Sequence, residues 1–525
     1  MGDQVRLGVV ASVGRRVELA TRVARESPSH VTKNVTAAPY RAWTSRSPNQ
    51  ASIAPNARHG PGRIGYHVHM GMEWNRLLPR ERVNHQLGVR EIDPEQDRSA
   101  FERDWDRIIF STAFRRMHDK TQLFPLPDDD VVHSRLTHSL EVSSVGRSLG
   151  KRAGQTICQR HSIGENLFDH HDVGMVVATA CLAHDMGNPP FGHAGENAIA
   201  SYFQSERALR ALEGLTPQQL ADLKNFEGNA QGFRILTRLQ LEADKGLRLT
   251  AATLAAFCKY PRVSGDGLAD GDNVATKKHG CVQHDQEILC TVAEHLGLVP
   301  LKPKLAWARH PLAFLVEAAD DICYSILDIE DAVRLGHVPL KEAADHLEPI
   351  ARKLNTYNVG RYLSFLDRDT RLEYLRAMAI GQMIDECVEV FLDDEPLILK
   401  GAFQCPLAAK IPSHAELEAL KGLAKQRCYG VAEVLEIELA GYEALGGLLE
   451  HFVPAVIPDP SDRKQQAGRD RKSLELLRHH GVDVDASTLY ERVLRVTDFV
   501  SGMTDRGALG TYRRLKGIAI PGRIV

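Results

Sequence analysis

The sequence predicts an all-α protein: one large helical body with a C-terminal helical extension. Three observations carry that expectation. After Met72, apolar residues recur at three- and four-residue spacing, the mark of helices with one buried face. Runs that alternate apolar and polar residues, as half-buried strands do, are absent. Clusters of Gly, Pro, Asp and Lys break the helical stretches at 128–130, 264–273 and 457–471. There is no internal repeat to divide the body further.

The elements follow in chain order. Residues 1–69 carry ten Lys and Arg against three acids, and 27–65 are rich in Ser, Pro, Asn, Ala and Arg without apolar periodicity, as expected of a solvated, poorly ordered leader. The leader reads as dispensable or mis-assigned sequence ahead of a start at Met70 or Met72. The alternatives to that reading are a transit peptide and a basic arm for nucleic acid. Residues 105–117 and 135–152 show helical spacing; in the second, Leu136, Leu140, Val145 and Leu149 form one stripe. Residues 173–183 are apolar nearly all round, which predicts a central buried helix. Pro311 opens a helix whose Leu312, Leu315, Ala319, Ile322, Ile326, Ile329 and Val333 make a core stripe ending at Gly336. The expected divisions are 1–69, a catalytic helical region at 70–345, and a C-terminal helical region at 346–525 that completes the fold and supplies oligomer contacts.

Composition removes several function classes. A chain of 525 residues with 43% hydrophobic and 25% charged residues is neither disordered nor fibrous. No run reaches the roughly 18 uncharged apolar residues that a membrane span requires, so no membrane partner is expected. Nine scattered cysteines without a CxxC pair point to reduced thiols and a cytoplasmic setting.

The chemistry gathers in three segments. His184-Asp185 ends the buried apolar stretch and runs through a Gly/Pro turn to His193 and Glu196, and polar groups there require a reason. The same dipeptide at 118, 171 and 284 sits near turns or in polar stretches and reads as surface. Arg135 and His138 lie three apart, on one helix face opposite the apolar stripe. Asp320, Tyr324 and Asp328 lie one turn apart each on an otherwise buried helix. Two imidazoles and two carboxylates from three helices suit a divalent metal with open positions, Mn, Fe, Zn or Mg, since mixed N/O ligands do not choose sharply. The competing reading of Asp320 and Asp328 is a solvated helix face continued by Glu317 and Asp331.

These segments carry a resemblance. Arg-Leu-Thr-His-Ser-Leu-Glu-Val at 135–142, His184-Asp185 through Pro-Pro-Phe-Gly-His193-Ala-Gly-Glu196, and Glu-Ala-Ala-Asp-Asp-Ile-Cys-Tyr at 317–324 resemble the HD-domain deoxynucleoside triphosphate triphosphohydrolases, the bacterial dGTPase family above all. Phe114-Arg-Arg116, Lys120-Thr-Gln122, Phe226 to Gly232, Lys259-Tyr260-Pro261 and Ser501-Gly-Met-Thr-Asp505-Arg506 match in order, so the resemblance covers about 100–515.

The resemblance implies a helical metal-dependent phosphohydrolase fold and a role for each matched residue. His138, His184, Asp185 and Asp320 would hold Mn2+ or Mg2+, with Fe and Zn as alternatives. The ion would activate water for attack at the α-phosphate of dGTP or another dNTP, releasing deoxynucleoside and triphosphate. His193, oriented by Glu196, would protonate the departing sugar oxygen or position the water. Arg135 and Lys259 would pair with the triphosphate, with Asn229 and Tyr260 near phosphates and sugar. Tyr324 would exclude a 2'-hydroxyl, and Asp328, with Gln122 nearby, would accept the 3'-hydroxyl. Family membership also implies a homo-oligomer, tetramer or hexamer, and single-stranded DNA as a further ligand.

Some positions depart from the family pattern. Asn188 stands where many members carry a second histidine, a form that favours dGTP. Lys278-His279-Gly280-Cys281-Val282 lacks an aromatic pair after its glycine, and Gly507 replaces an aromatic residue. Glu438 matches a segment that can reach the base of a neighbouring subunit. Two other functions compete: another HD-type nucleotide phosphohydrolase, which needs neither Tyr324 nor Asp328, and a nucleotide- or single-stranded-DNA-sensing regulator without catalysis.

Overall fold

The computed structural model describes residues 71–518, apart from 85–87, 91–97, 125–131, 165–166, 241–245, 266–272, 302–304, 464–465 and 467. The expected leader and the break at 128–130 lie outside the described residues, as does most of the break at 264–273. The described residues all fall in one compact unit, 68–525. Twenty-one α-helices dominate them, as the spacing predicts. One short antiparallel pair, Arg82–Asn84 with Gly88–Arg90, interrupts the helices. At three residues a strand it is too short to show as an alternating run. No helix among the described residues is long and apolar enough to cross a membrane.

Eight of the helices carry or brace the candidate site: α1 (Arg135–Arg160), α2 (His170–Ala183), α3 (Gly192–Gln204), α4 (Pro311–Arg334), α5 (Arg368–Asp393), α6 (Ala432–Val456), α7 (Leu489–Ser501) and α8 (Asp505–Leu515). Helix α2 is central, with ten of its eleven residues from Val173 to Ala183 buried. Helix α1 lies against it where glycines remove side-chain bulk. A Cβ at Gly150 would stand 2.9 Å from the Val173 carbonyl oxygen. The predicted stripe of α4, Leu312 to Val333, is fully buried.

Two cores share the work. The larger runs from Met72 to Val434 around α1, α2, α4 and α5. The smaller joins Phe191, Ile199 and Phe203 of the α3 region to Leu445, Leu448 and Phe452 of α6 and to Val493, Val496 and Val500 of α7. Residues well inside the first half of the chain therefore depend on the C-terminal helices for their burial.

Two local expectations change. The stretch 105–117 is two helices, Ala100–Ile109 and Thr112–Arg116, because Ser111 takes the Phe114 N–H on its side chain and starts a new helix. In α1, Leu140 is 37% exposed, whereas Arg135, His138, Ser139, Val142 and Ser143 are buried. The polar pair of α1 thus faces the interior rather than lying opposite the apolar stripe. Core hydrophobicity misleads here because the inner face carries Arg135, His138 and small residues that let α2 approach.

Candidate functional site

Three helix segments bring His138, His184 and Asp320 together, with one donor atom of each inside 4.8 Å of the others. His138 closes the first turn of α1, its N–H donating to the Ser134 carbonyl. His184 caps α2, its Nδ1 2.7 Å from the Cys181 carbonyl oxygen, which turns Nε2 toward the cluster. Nε2 of His138 and of His184 lie 3.3 Å and 3.5 Å from the Asp320 Oδ1. Burial pushes Asp320 upward, but His184 and His138 hold it well below the usual carboxylate range. Burial pushes His184 down, while Asp185 and Asp320 outweigh it and lift its pKa to about 9. The pocket thus favours positive charge, and two imidazole nitrogens with a carboxylate are donors that suit a divalent cation. Asp185 lies beside this trio, Oδ1 3.5 Å from the His184 Nε2. Its oxygens also accept from Arg135 at 2.5 Å and from the Asn188 amide at 2.6 Å.

The turn after α2 carries a second pair. His193 Nδ1 and Glu196 Oε2 are 2.6 Å apart, one helical turn along α3. Glu196 Oε1 accepts the Gly228 N–H at 2.7 Å, so the carboxylate is fixed from two sides. The bond to Glu196 raises the His193 pKa above its ordinary value. Glu196 is itself buried, which pushes it up, yet His193 draws it below the usual range. The arrangement presents a carboxylate-backed imidazole whose ring is largely open to the cavity, a unit able to give or take a proton.

One cavity of about 580 Å3 joins the two groups. Gln122, Arg135, His184, Asp185, His193, Glu196, Asn229, Lys259, Tyr260, Asp320 and Tyr324 all line it. The two remaining expected site residues, His138 and Asp328, stand behind the wall: His138 is 1% exposed and Asp328 3%. The cations of the wall are already partnered. Arg135 holds Asp185, and Lys259 Nζ lies 3.3 Å from Glu317 Oε1. Burial lowers the Lys259 pKa, but Glu317 more than restores it. The solvated-face reading of α4 fails, because Glu317 and Asp331 are buried and held by Arg309 and His133.

Residues 135–222 match the HD domain family. The chain is 42% identical over 458 residues to a deoxyguanosinetriphosphate triphosphohydrolase-like protein of Synechocystis, covering 86% of this chain and all of the relative. The chain belongs to the deoxyguanosinetriphosphate triphosphohydrolase family. A like-named Pseudomonas aeruginosa protein is 37% identical over 463 residues, covering 86% of this chain and all of the relative. A deoxyguanosinetriphosphate triphosphohydrolase of Yersinia enterocolitica is 31% identical over 486 residues, covering 79% of this chain and 93% of the relative.

In this triphosphohydrolase-family chain several cavity residues carry no periodic signal. Tyr429 stacks on Tyr324, ring centroids 6.2 Å apart, and its hydroxyl donates to the Asp328 carboxylate at 2.8 Å. Burial pushes Asp328 up to about 7 and Tyr324 up to about 12. Lys278 reaches the cavity wall with Nζ 2.9 Å from Glu227 Oε2, and Asn229 donates to the same carboxylate at 2.7 Å. Lys278 stood at the start of the segment noted above for its missing aromatic pair, which was the only sign of it. Glu438 lines the cavity of its own chain. The dipeptide at 284 is a correction: Asp285 is fully buried and binds Arg234 and Arg238, so it is a core ion cluster rather than surface.

Proposed function

We propose that this chain is a metal-dependent dNTP triphosphohydrolase that converts dGTP, and other dNTPs to a lesser extent, to deoxynucleoside and inorganic triphosphate. The observation that carries the reading is the convergence of three donor groups, a carboxylate-backed histidine and several cations on one cavity. His138, His184 and Asp320, with Asp185 beside them, are the residues that would hold Mn2+ or Mg2+. Such an ion, when bound, polarises phosphoryl oxygens and lowers the pKa of water.

The chain's own residues do the rest. Arg135, Lys259 and Lys278 bind the triphosphate, exchanging their carboxylate partners for phosphate oxygens, with Asn229 and Tyr260 beside them. Water adds to the α-phosphorus and the bond to the sugar 5'-oxygen breaks. His193, held by Glu196, gives that oxygen its proton. Tyr324 and Tyr429 close on the sugar where a 2'-hydroxyl would clash, and Asp328 takes the 3'-hydroxyl, with Gln122 at the same end. Glu438 offers an acceptor that suits the N–H groups on the guanine edge. Exposed Leu435, Leu439 and Tyr442 on the outer face of α6 support the homo-oligomer, tetramer or hexamer, which light scattering of the purified protein tests.

Incubating the protein with Mn2+ or Mg2+ and each dNTP, singly and mixed, tests the reaction. Triphosphate and deoxyguanosine are the expected products from dGTP. Pyrophosphate or a monophosphate in their place rejects the reaction type.

A further inference from the structure

The turn that presents His193 is strained. Phe191, which is not glycine, sits in the left-handed region at φ 63°, and Gly192 follows at φ 56°. A left-handed non-glycine residue is strained and persists only where its surroundings hold it. The Phe191 ring is held by α6, where a Cβ at Gly441 would stand 2.8 Å from the ring. Its backbone N–H is held by the far end of the chain: it donates to Asp505 Oδ1 at 3.0 Å.

Asp505 opens α8 and is 1% exposed. Its other oxygen, Oδ2, accepts from the Thr121 backbone N–H at 2.9 Å and from the Thr121 hydroxyl at 2.6 Å. Thr121 and its neighbour Gln122 line the cavity, as do Phe191 and Gly192. One buried carboxylate therefore ties together two separate cavity loops. A second strap runs alongside: the Lys120 ammonium donates to the carbonyls of Asn188, in the strained turn, and of Ser501, at the end of α7.

We propose that Asp505 is a positioning residue for the reaction, a clamp by which the C-terminal helices hold the His193 turn and the Thr121-Gln122 loop in register. It touches no reacting atom. One of its three accepted bonds holds the backbone from which His193 projects and the other two hold Thr121; a displacement of about 1 Å at a catalytic group costs about 100-fold in rate. The inference rests on the reading of His193 as proton donor. It adds that the catalytic geometry is set by residues far outside the HD match at 135–222.

Asp505→Asn tests it, because an amide has one accepting oxygen and cannot serve both loops. Thr121→Val removes only the hydroxyl bond and is the milder second variant. Arg513→Ala, an exposed change on the same helix, is the control. With dGTP and Mn2+, the clamp predicts that Asp505→Asn lowers kcat about 10- to 100-fold. Thr121→Val should fall between it and wild type. KM, Mn2+ affinity and Tm should stay near wild type, and amide exchange should quicken at 188–193 but not in α7. Unchanged kcat with faster exchange overturns the proposal, as does unchanged exchange. A joint fall of kcat, Tm and Mn2+ affinity also overturns it, by showing a merely structural role. If wild-type protein releases no triphosphate from any dNTP, the functional reading fails on its own. Exchange at 188–193 then decides the clamp: a local rise supports it and no change overturns it.

Discussion

Replacing Glu196 by Gln removes the charge behind His193 while keeping the size of the side chain. The His193–Glu196 contact is 2.6 Å and raises the imidazole pKa. A hydrogen bond to a charged group is worth about 1.5–3 kcal/mol. The His193 side chain is 80% exposed, so solvent screening brings the effect to the low end of that range, about 1.5 kcal/mol. The sign follows from the role. A proton donor works while protonated, so activity is lost as pH rises through its pKa; Glu196→Gln lowers that pKa and moves the alkaline limb of kcat/KM toward acid. The assay is triphosphate release from dGTP across pH, with the imidazole shift followed by NMR. An alkaline limb that does not move while the NMR pKa falls would refute His193 as the donor. An NMR pKa that does not fall would refute the electrostatic account.

Chelation is expected to abolish turnover and Mn2+ to restore it. His184→Ala and Asp320→Asn should lose bound metal, read by elemental analysis, together with activity, and full metal content with full activity would sink the ligand assignment. Wild type should hydrolyse dGTP and spare GTP, with Tyr324→Ala narrowing the gap, and equal wild-type rates on both nucleotides would reject the sugar gate. Asp328→Ala should erase the preference for dGTP over its 2',3'-dideoxy analogue in KM. Asp222 is pushed up to about 7 by burial, despite bonds from Tyr490, Ser264 and the Gln283 N–H. Its folded pKa exceeds the unfolded value of about 3.9, so the folded state binds the extra proton and stability falls as pH rises from about 4 through 7. Asp222→Asn should therefore compare better with wild type in Tm at pH 8 than at pH 5; the opposite trend refutes the assignment.

Helix position was legible wherever burial was one-sided or complete. The α2 stretch at 173–183 and the α4 stripe from Leu312 to Val333 could be read because apolar side chains alone fill those faces. The α1 face could not, since its inner side carries Arg135, His138 and two serines where the site lies. Hydrophobic patterning finds packing, and a functional helix trades packing for ligands. Asp320, Tyr324 and Asp328 were visible as a unit because one-turn spacing survives in sequence. Tyr429 was not, and Asp505 showed only as part of a matched run without a role, because each meets the site through tertiary contact across roughly a hundred residues or more, and no local spacing encodes that.

The charge of the chain bears on the same point. Residues 70–525 hold 55 basic against 65 acidic side chains, an unpromising balance for a polyanionic substrate. The cavity resolves this locally by pairing: Arg135 with Asp185, Lys259 with Glu317, Lys278 with Glu227. Unpaired, such partly buried cations would be costly to desolvate, so the carboxylates are what allow three of them to line one wall. A phosphate oxygen accepts from the same donors with similar geometry, so under the proposed function substrate entry would be an exchange of acceptors rather than a fresh desolvation of each cation. Attraction then depends on where these pairs sit and not on the sum over the surface, which is why an acidic protein can be built around a site for a triphosphate.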